Sequence, residues 1–507
     1  MIGWIGNGLR GLHRLQLIYF RSQPKEFDIF ILMVKKSVPV ASGKAEGCMR
    51  STSKSTRFKG LHHLPPDILR GIMSRLTLKE AVRLSILSKK WKRLWKCYPK
   101  LVFTRATMRS TIADTTGHRK PMRTRFIRVV NSILRQLRST NLDKFVVRFP
   151  LRKRHTHHID RWLKFSAASR TKHVVLDLCP GPKGSSDMDD KYSFPLDMFD
   201  GSCVKNLCLG FVLLTLPSDF SGFKNLKKVS LDMVGITGEL QCLLPECPVL
   251  EWLSITRCRL VGLSISQQLS RLLFLRVQGN NLQRLNIQAP NLTTFEFKDK
   301  LIPIVLGESL NISKAEIDLF SSLDCFDYVF SELANPRSHV QSLSVNCWIS
   351  GEVCAGIYKK SFQVTNLRHV VLKIDISGRS RTSPGILRLA YLLELAPVLE
   401  ELVLHMCGIA PAMYVSGLSE SYFPPCPHRH LKTVRMTGVY GYHGQLALAL
   451  YILHNATCLE HMIIDPVVRN NLEVPPLKFA QQDIINGRWF ARYHLLNKGF
   501  DKVLTIL

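Results

Sequence analysis

The sequence predicts a mixed α+β / α/β chain in two parts, a short three-helix module followed by a solenoid of stacked coils that share a parallel sheet. Three observations carry this. A compact run of helical apolar spacing lies between Leu61 and Phe103, a six-residue apolar pattern recurs downstream at nearly constant intervals, and the charge divides sharply along the chain. The chain has 507 residues and is 46% hydrophobic, enough for a small module plus one large domain. No apolar run reaches the roughly 20 residues a membrane-spanning helix needs; Phe27 to Val34 is the nearest and contains Asp28. Fourteen cysteines occur without a CxxC pair, which suits a reducing compartment and speaks against zinc. Cys426, His428 and His430 stand on one short segment that cannot wrap a tetrahedral ion unaided, so no metal or other cofactor is expected.

The formal charge of +32 suggests a nucleic-acid binder until it is divided. Residues 1–172 hold 39 Lys/Arg against 8 Asp/Glu, whereas residues 173–507 hold 31 against 30. A repeat surface that tracks phosphates needs its own positive field, so the large domain is expected to bind protein and not nucleic acid.

Residues 1–60 read as a disordered basic extension. Ser, Lys and Gly dominate from Ser37 to Lys59, and Arg10, Arg14 and Arg21 precede any acid, a loose likeness to a transit peptide. From Leu61 the pattern changes. Pro65 and Pro66 suit a first helical turn, and Ile68, Leu69, Ile72, Met73 and Leu76 follow at helical spacing. Thr77 with Glu80 matches a capping box, which starts a second helix with Ala81, Val82 and Leu84 on its apolar side. Ser88 is placed to cap a third, whose Trp91, Leu94 and Trp95 share a face among Lys89, Lys90, Lys92, Arg93 and Lys96. Three short helices bury little surface alone, so the module calls for a partner.

The segment Leu61 to Phe103, LHHLPPDILRGIMSRLTLKEAVRLSILSKKWKRLWKCYPKLVF, resembles the F-box, in its plant form with Leu-Ser, paired basic residues, Trp and a later Leu-Trp. It departs in having Thr77 where proline is common and Pro66 where an acid is frequent. The resemblance implies that Leu64, Pro65, Ile68, Leu69, Leu76, Val82, Leu84 and Leu87 form or support the surface that binds a Skp-family adaptor, which a cullin scaffold carries. Trp91 and Trp95 belong to the same set, with a role in the module's core weighing more heavily.

Residues 104–172 form a basic helical bridge, patterned through Phe126, Val130, Ile133, Leu134 and Leu137. Arg152, Lys153 and Arg154 carry charge without interleaved aromatics, which favours a solvated face over contact with RNA or DNA. Phe126 to Gln136 and His158 to Ser169 are similar to the lead-in of plant F-box proteins with repeats.

In residues 173–425 an apolar pattern at positions one, four and six starts at Val204, Leu226, Leu250, Leu272 and Leu292, at intervals of 22, 24, 22 and 20 residues. This is the period of leucine-rich repeats, whose coils each lend one strand to a parallel sheet. A second set at Leu260, Leu263, Ile265 and Leu282, Leu285, Ile287 lies midway, so the return path of these coils is expected to be extended. Later starts at Val340, Val370, Leu399, Leu431 and Leu459 are further apart and leave room for helices over Ile386 to Leu395 and Leu446 to Leu453. Pro-x-Leu at Pro248 and Pro397 points to a fixed turn before the strands. His430 to Pro466 resembles the FBD segment that closes many plant F-box and repeat proteins, so residues 426–507 are expected to be FBD-like repeats and a cap. Gly438, Gly441 and Gly444 lack the Lys-Ser or Lys-Thr of a phosphate loop and read as a strand-to-helix connection.

No catalytic constellation emerges. The resemblance therefore implies a non-catalytic substrate-recognition subunit of a cullin-RING, SCF-type ubiquitin ligase, placed in nucleus or cytoplasm, that holds an unknown protein target on its repeats. The alternative is a nuclear or RNA-associated binding protein using the basic bridge.

Overall fold

The computed structural model describes residues 65–108, 119–138, 141–180, 188–216, 222–238, 240–307, 310–323, 328–330, 339–350, 363–377, 386, 388–408, 425–441, 443–467 and 480–507. The basic extension expected over residues 1–60 lies outside them.

Three helices open this body, α1 (Pro66–Arg75), α2 (Leu78–Ser85) and α3 (Lys89–Trp95). The chain then runs straight into the main sheet through β1 (Lys100–Thr104), followed by α4 (Arg119–Gln136), β2 (Lys144–Arg148), α5 (Thr156–Ala168) and β3 (His173–Asp177). Short return strands then alternate with main ones: β4 (Tyr192–Phe194), β5 (Asn206–Gly210), β6 (Val212–Thr215), β7 (Lys228–Asp232), β8 (Gly235–Thr237) and β9 (Trp252–Thr256). The alternation continues through β10 (Gly262–Ile265), β11 (Phe274–Gln278), β12 (Arg284–Ile287), β13 (Thr294–Lys298), β14 (Ile304–Leu306) and β15 (Lys314–Leu323). The last coils supply β16 (Ser342–Ser350), β17 (His369–Ser377), α6 (Tyr391–Leu395), β18 (Glu401–Gly408), β19 (Thr433–Thr437), α7 (His443–Asn455), β20 (His461–Asp465), α8 (Ala480–Leu495) and β21 (Leu504–Ile506).

The main sheet orders fifteen strands as β1-β2-β3-β5-β7-β9-β11-β13-β15-β16-β17-β18-β19-β20-β21, and two three-stranded sheets, β4-β6-β8 and β10-β12-β14, line the return path. The extended return path read from Leu260 and Leu282 is β10 and β12, paired in parallel. The sequence boundary at residue 173 is corrected: inside the expected F-box end and helical bridge, β1 pairs in parallel with β2 and β2 with β3, so the repeat sheet begins at Lys100. Their apolar pattern, Leu142, Phe145 and Val147 for β2, falls outside the 20–24-residue period because whole helices separate the strands.

Parallel strands bury alternate residues against the next coil. Leu207 and Leu209 stack on Val229 and Leu231, these on Leu253 and Ile255, and these on Leu275 and Val277, all at most 3% exposed. Ahead of the strands a tight turn recurs, with Leu226, Leu250, Leu272 and Leu399 N–H groups each donating to the carbonyl three residues earlier, as the Pro-x-Leu sequences predicted. After β5, β7 and β9 the corner needs a left-handed residue, supplied by Phe211, Met233 and Arg257 at φ 54–55°. Buried Asn280 stitches the next corner: its Oδ1 accepts from Cys258 N–H at 2.7 Å and its Nδ2 donates to Ile255 O at 3.0 Å. Asp299 in turn accepts from the N–H groups of Asn280 and Asn281.

The basic bridge folds as a packed pair of helices. Phe126 of α4 stacks on Phe149 at 4.1 Å and meets Trp162 of α5 edge-on, and the Trp162 indole donates to Asn131 at 2.8 Å. At the other end, α6 and α7 occupy the two helices read from Ile386 to Leu395 and Leu446 to Leu453. The loop with Gly438 and Gly441 joins β19 to α7. Its Tyr440 N–H and Gly438 carbonyl are both taken by the buried Gln445 side chain, so it is a structural turn. Gly487 lets α8 close on that loop, since a Cβ there would lie 2.3 Å from Val439 O.

His428 also holds the C-terminal coils. It is 2% exposed, its Nε2 bonds to Ala396 O at 2.9 Å, and its Nδ1 accepts from Leu431 N–H at 3.1 Å. Burial holds its pKa below the ordinary imidazole value, with His430 adding to that push and the Ala396 bond opposing it. Because the folded state disfavours protonation, stability should fall as pH drops below about 6.5, where the unfolded histidine takes up a proton. His428→Gln should flatten part of that acid slope in denaturation curves run between pH 7 and pH 5; an unchanged slope would refute the role. Leu253→Ala, at a fully buried position, should cost about 2–5 kcal/mol in urea unfolding, and a loss below about 1 kcal/mol would show that the coils do not depend on that row.

Candidate functional site

The three-helix module is built by its caps. Pro65 and Pro66 start α1, where the missing N–H costs nothing. The predicted capping box is present at α2: Thr77 N–H donates to Glu80 Oε2 at 2.8 Å and Glu80 N–H donates to Thr77 Oγ1 at 3.4 Å. Ser88 accepts from Trp91 N–H at 3.3 Å and starts α3. These stops leave connections of two and three residues, which force the helices to fold on one another around Leu69, Met73, Leu78, Ala81, Leu84, Trp91 and Trp95, all buried.

Tyr98 closes the module. Its ring stacks on Trp95 at 5.6 Å and its hydroxyl donates to Leu76 O at 2.7 Å, tying the end of α1 to the strand that follows. Burial pushes the phenol up to about 12, with Glu80 adding to the rise. The link to the sheet is covalent and hydrogen-bonded: Lys100 begins β1, and Arg138 N–H, just past α4, donates to Lys96 O at 3.0 Å.

The residues expected to meet an adaptor therefore divide. Leu69, Leu84, Trp91 and Trp95 point inward and are 1–5% exposed, so these four take the supporting role and hold the helices together. Pro65 and Leu87 are exposed, and Ile68, Leu76 and Val82 are half-buried. Leu64 lies outside the described residues. The sequence reading missed Ile86, which at 81% is the most exposed large apolar side chain described and sits beside Leu87 at the C-terminal end of α2. A signal was available: an isoleucine just past a helix end, followed by leucine and then the Ser88 cap, has no helical face of its own to join. Ile86 and Leu87 make an apolar ledge, with the cations Lys89, Lys92 and Arg93 exposed on α3.

The rival cluster does not assemble. Arg152 is 7% exposed, lies 4.5 Å over the Phe211 ring and pairs with Asp190 at 3.4 Å, while Lys153 and Arg154 face solvent. A single basic patch at this point is therefore not formed. Among the described residues, no group of three or more His, Cys, Asp or Glu could hold a metal ion, and no helix is long and apolar enough to cross a membrane.

Comparison with known proteins agrees with this architecture. The family model described as the At1g61320/AtMIF1 LRR domain matches residues 133–478, and the F-box domain model matches residues 61–102. Among similar Arabidopsis thaliana proteins, the putative F-box/FBD/LRR-repeat protein At5g56810 is 27% identical over 80% of this chain and 89% of its own length. F-box/FBD/LRR-repeat protein At5g53840 is 25% identical over 83% of this chain and 91% of its own. F-box/FBD/LRR-repeat protein At1g13570 is 29% identical over 43% of this chain, a match that spans only about half, 48%, of that protein. With a capped three-helix module leading directly into a parallel repeat sheet, and a repeat-family model covering well over half of the sequence, the chain belongs to the At1g61320/AtMIF1 leucine-rich repeat family and carries an F-box domain ahead of its repeats.

Proposed function

We propose that this protein is the substrate-recognition subunit of an SCF-type cullin-RING ubiquitin ligase, working in nucleus or cytoplasm, with a Skp-family adaptor on its F-box and a protein target on its repeats. The observation that carries the proposal is the ledge of Ile86 and Leu87, 81% and 48% exposed, on a module whose own core is already closed by Trp91 and Trp95. Side chains of that size left in water have an unrealised burial worth about 1.5–3 kcal/mol each, and an adaptor that covers them recovers it. The neighbouring cations of α3 suit an acidic adaptor and would speed encounter more than tighten the complex.

The module and the sheet are rigidly coupled through Tyr98, Lys96 and β1. An adaptor on one end and a target on the other are thus held at a set spacing, and catalysis follows from raised effective concentration without an active residue in this chain. The buried thiols Cys247 and Cys258 fit this placement. Each donates to a backbone carbonyl, and burial pushes both up to about 11, so they pack as neutral side chains.

The test is capture of a purified Skp-family adaptor by the full chain. Ile86→Ser with Leu87→Ser should weaken capture by about tenfold or more while leaving thermal unfolding unchanged, because neither side chain is in the core. Capture that survives both substitutions unaltered would sink the assignment of this face.

A further inference from the structure

The first strands of the main sheet carry a charge pattern that the near-neutral total of the repeats conceals. Register puts Lys100 of β1 directly beside Lys144 of β2. One position before the strands the same charge repeats, since Lys205 and Asn206 N–H groups both donate to Lys172 O, and Lys227 and Lys228 N–H groups both donate to Lys205 O. Lys172, Lys205 and Lys227 therefore stand on three successive coils at a spacing of about 4.8 Å. Like charges opposite one another on adjacent strands destabilise a sheet, so this row opposes the fold that holds it. Lys144, Lys172 and Lys205 are exposed, and no ion pair holds them among the described residues; Lys144 stands in register with His173, one residue beyond Lys172, Asp143 lies opposite Lys172, and Glu251 is taken by Lys227 at 2.6 Å.

Beside the row the middle residues of β1, β2, β3 and β5 are Val102, Val146, Val175 and Cys208, of which Val146 and Val175 are buried and Val102 and Cys208 half-buried. Burial pushes the Cys208 thiol up, with Asp177 adding to the rise and Lys228, Arg148 and Lys144 acting against it. Further along the sheet Trp252, the first residue of β9, stands in register with Lys228 and stacks 3.4 Å from Phe274.

We propose that this lysine row, across β1 to β7, holds an extended acidic segment of the protein target, with carboxylates on the lysines and apolar side chains over the half-buried Val102 and Cys208. The inference rests on the receptor reading above and deepens it by naming the chemistry of the target. A protein segment is favoured over single-stranded nucleic acid because the aromatic faces that bases would stack on are already covered: Phe274 and Lys228 lie over Trp252, the latter at 4.0 Å, and Arg276 lies over Phe274 at 5.6 Å. Four strand steps of about 4.8 Å each span roughly 19 Å, the reach of about six extended residues.

The experiment uses the full chain and a fluorescent peptide of about eight residues alternating Glu and Val, with a Ser-Val peptide and an oligothymidylate of matching length as competitors. The acidic peptide should bind, weaken as salt rises, and lose about tenfold or more in affinity on combined Lys144→Ser, Lys172→Ser and Lys205→Ser. A matched variant with Lys300→Ser, Lys432→Ser and Lys502→Ser, all exposed elsewhere, should bind like the parent. Equal losses in both variants, binding of the Ser-Val peptide as tight as the acidic one, or tighter binding of oligothymidylate through the same lysines would each overturn the proposal. Adaptor capture is read separately on the same samples. Adaptor bound with no peptide bound would reject this inference and leave the receptor reading standing; peptide bound through the row with no adaptor captured would do the reverse.

Discussion

The constraint on which the whole molecule depends is the register between successive coils. Each main strand lends two inward side chains to a shared core, and those of one coil cover those of the next: Leu253 and Ile255 on β9 lie between Val229 and Leu231 on one side and Leu275 and Val277 on the other. A slip of one residue would turn these pairs outward and bring Ser254 and Arg276 in. The corners keep the register. Phe211, Met233 and Arg257 accept a left-handed backbone there, a strain that persists only because the hydrogen bond of each N–H to the following strand fixes it.

The F-box module obeys a different economy. Its helices are seven to ten residues long, too short to persist alone, and their caps and mutual burial substitute for length. Tryptophan is the largest apolar side chain here, so Trp91 and Trp95 are drawn inward, and the pair left exposed is the smaller Ile86 and Leu87. Tyr98 links the module to the sheet, since it packs on Trp95 and lies two residues before the first strand.

Much of this was legible in the residues. The capping box at Thr77 and Glu80, the cap at Ser88, the strands from Val204 to Phe297 and the extended return path at Leu263 and Leu285 all follow from local chemistry or a short period, because each is decided within a few residues. The strands that escaped did so for physical reasons. In β2 and β3 intervening helices stretch the period, and in β15 the small Ala315 occupies the place of a leucine between Ile312 and Ile317, so the apolar signature fades although the position is buried. In the candidate site, spacing identified which residues are apolar but not which way they face. Leu84 and Leu87 looked equivalent, yet only Leu84 lies within α2, while Leu87 falls in the turn beyond it.

The sequence by itself determined the element types, the two-part organisation and the family resemblance, since period, caps and turn residues are local quantities. Only the tertiary structure decided where the charge goes. The excess of cations in the first third looked like a linker property, and folding carried Lys100, Lys144 and Lys172 into the sheet beside Lys205 and Lys227, residues from the near-neutral part of the chain. Strand pairing joins positions far apart in sequence, and the side chains that share a face are set by that pairing, which no count along the chain contains.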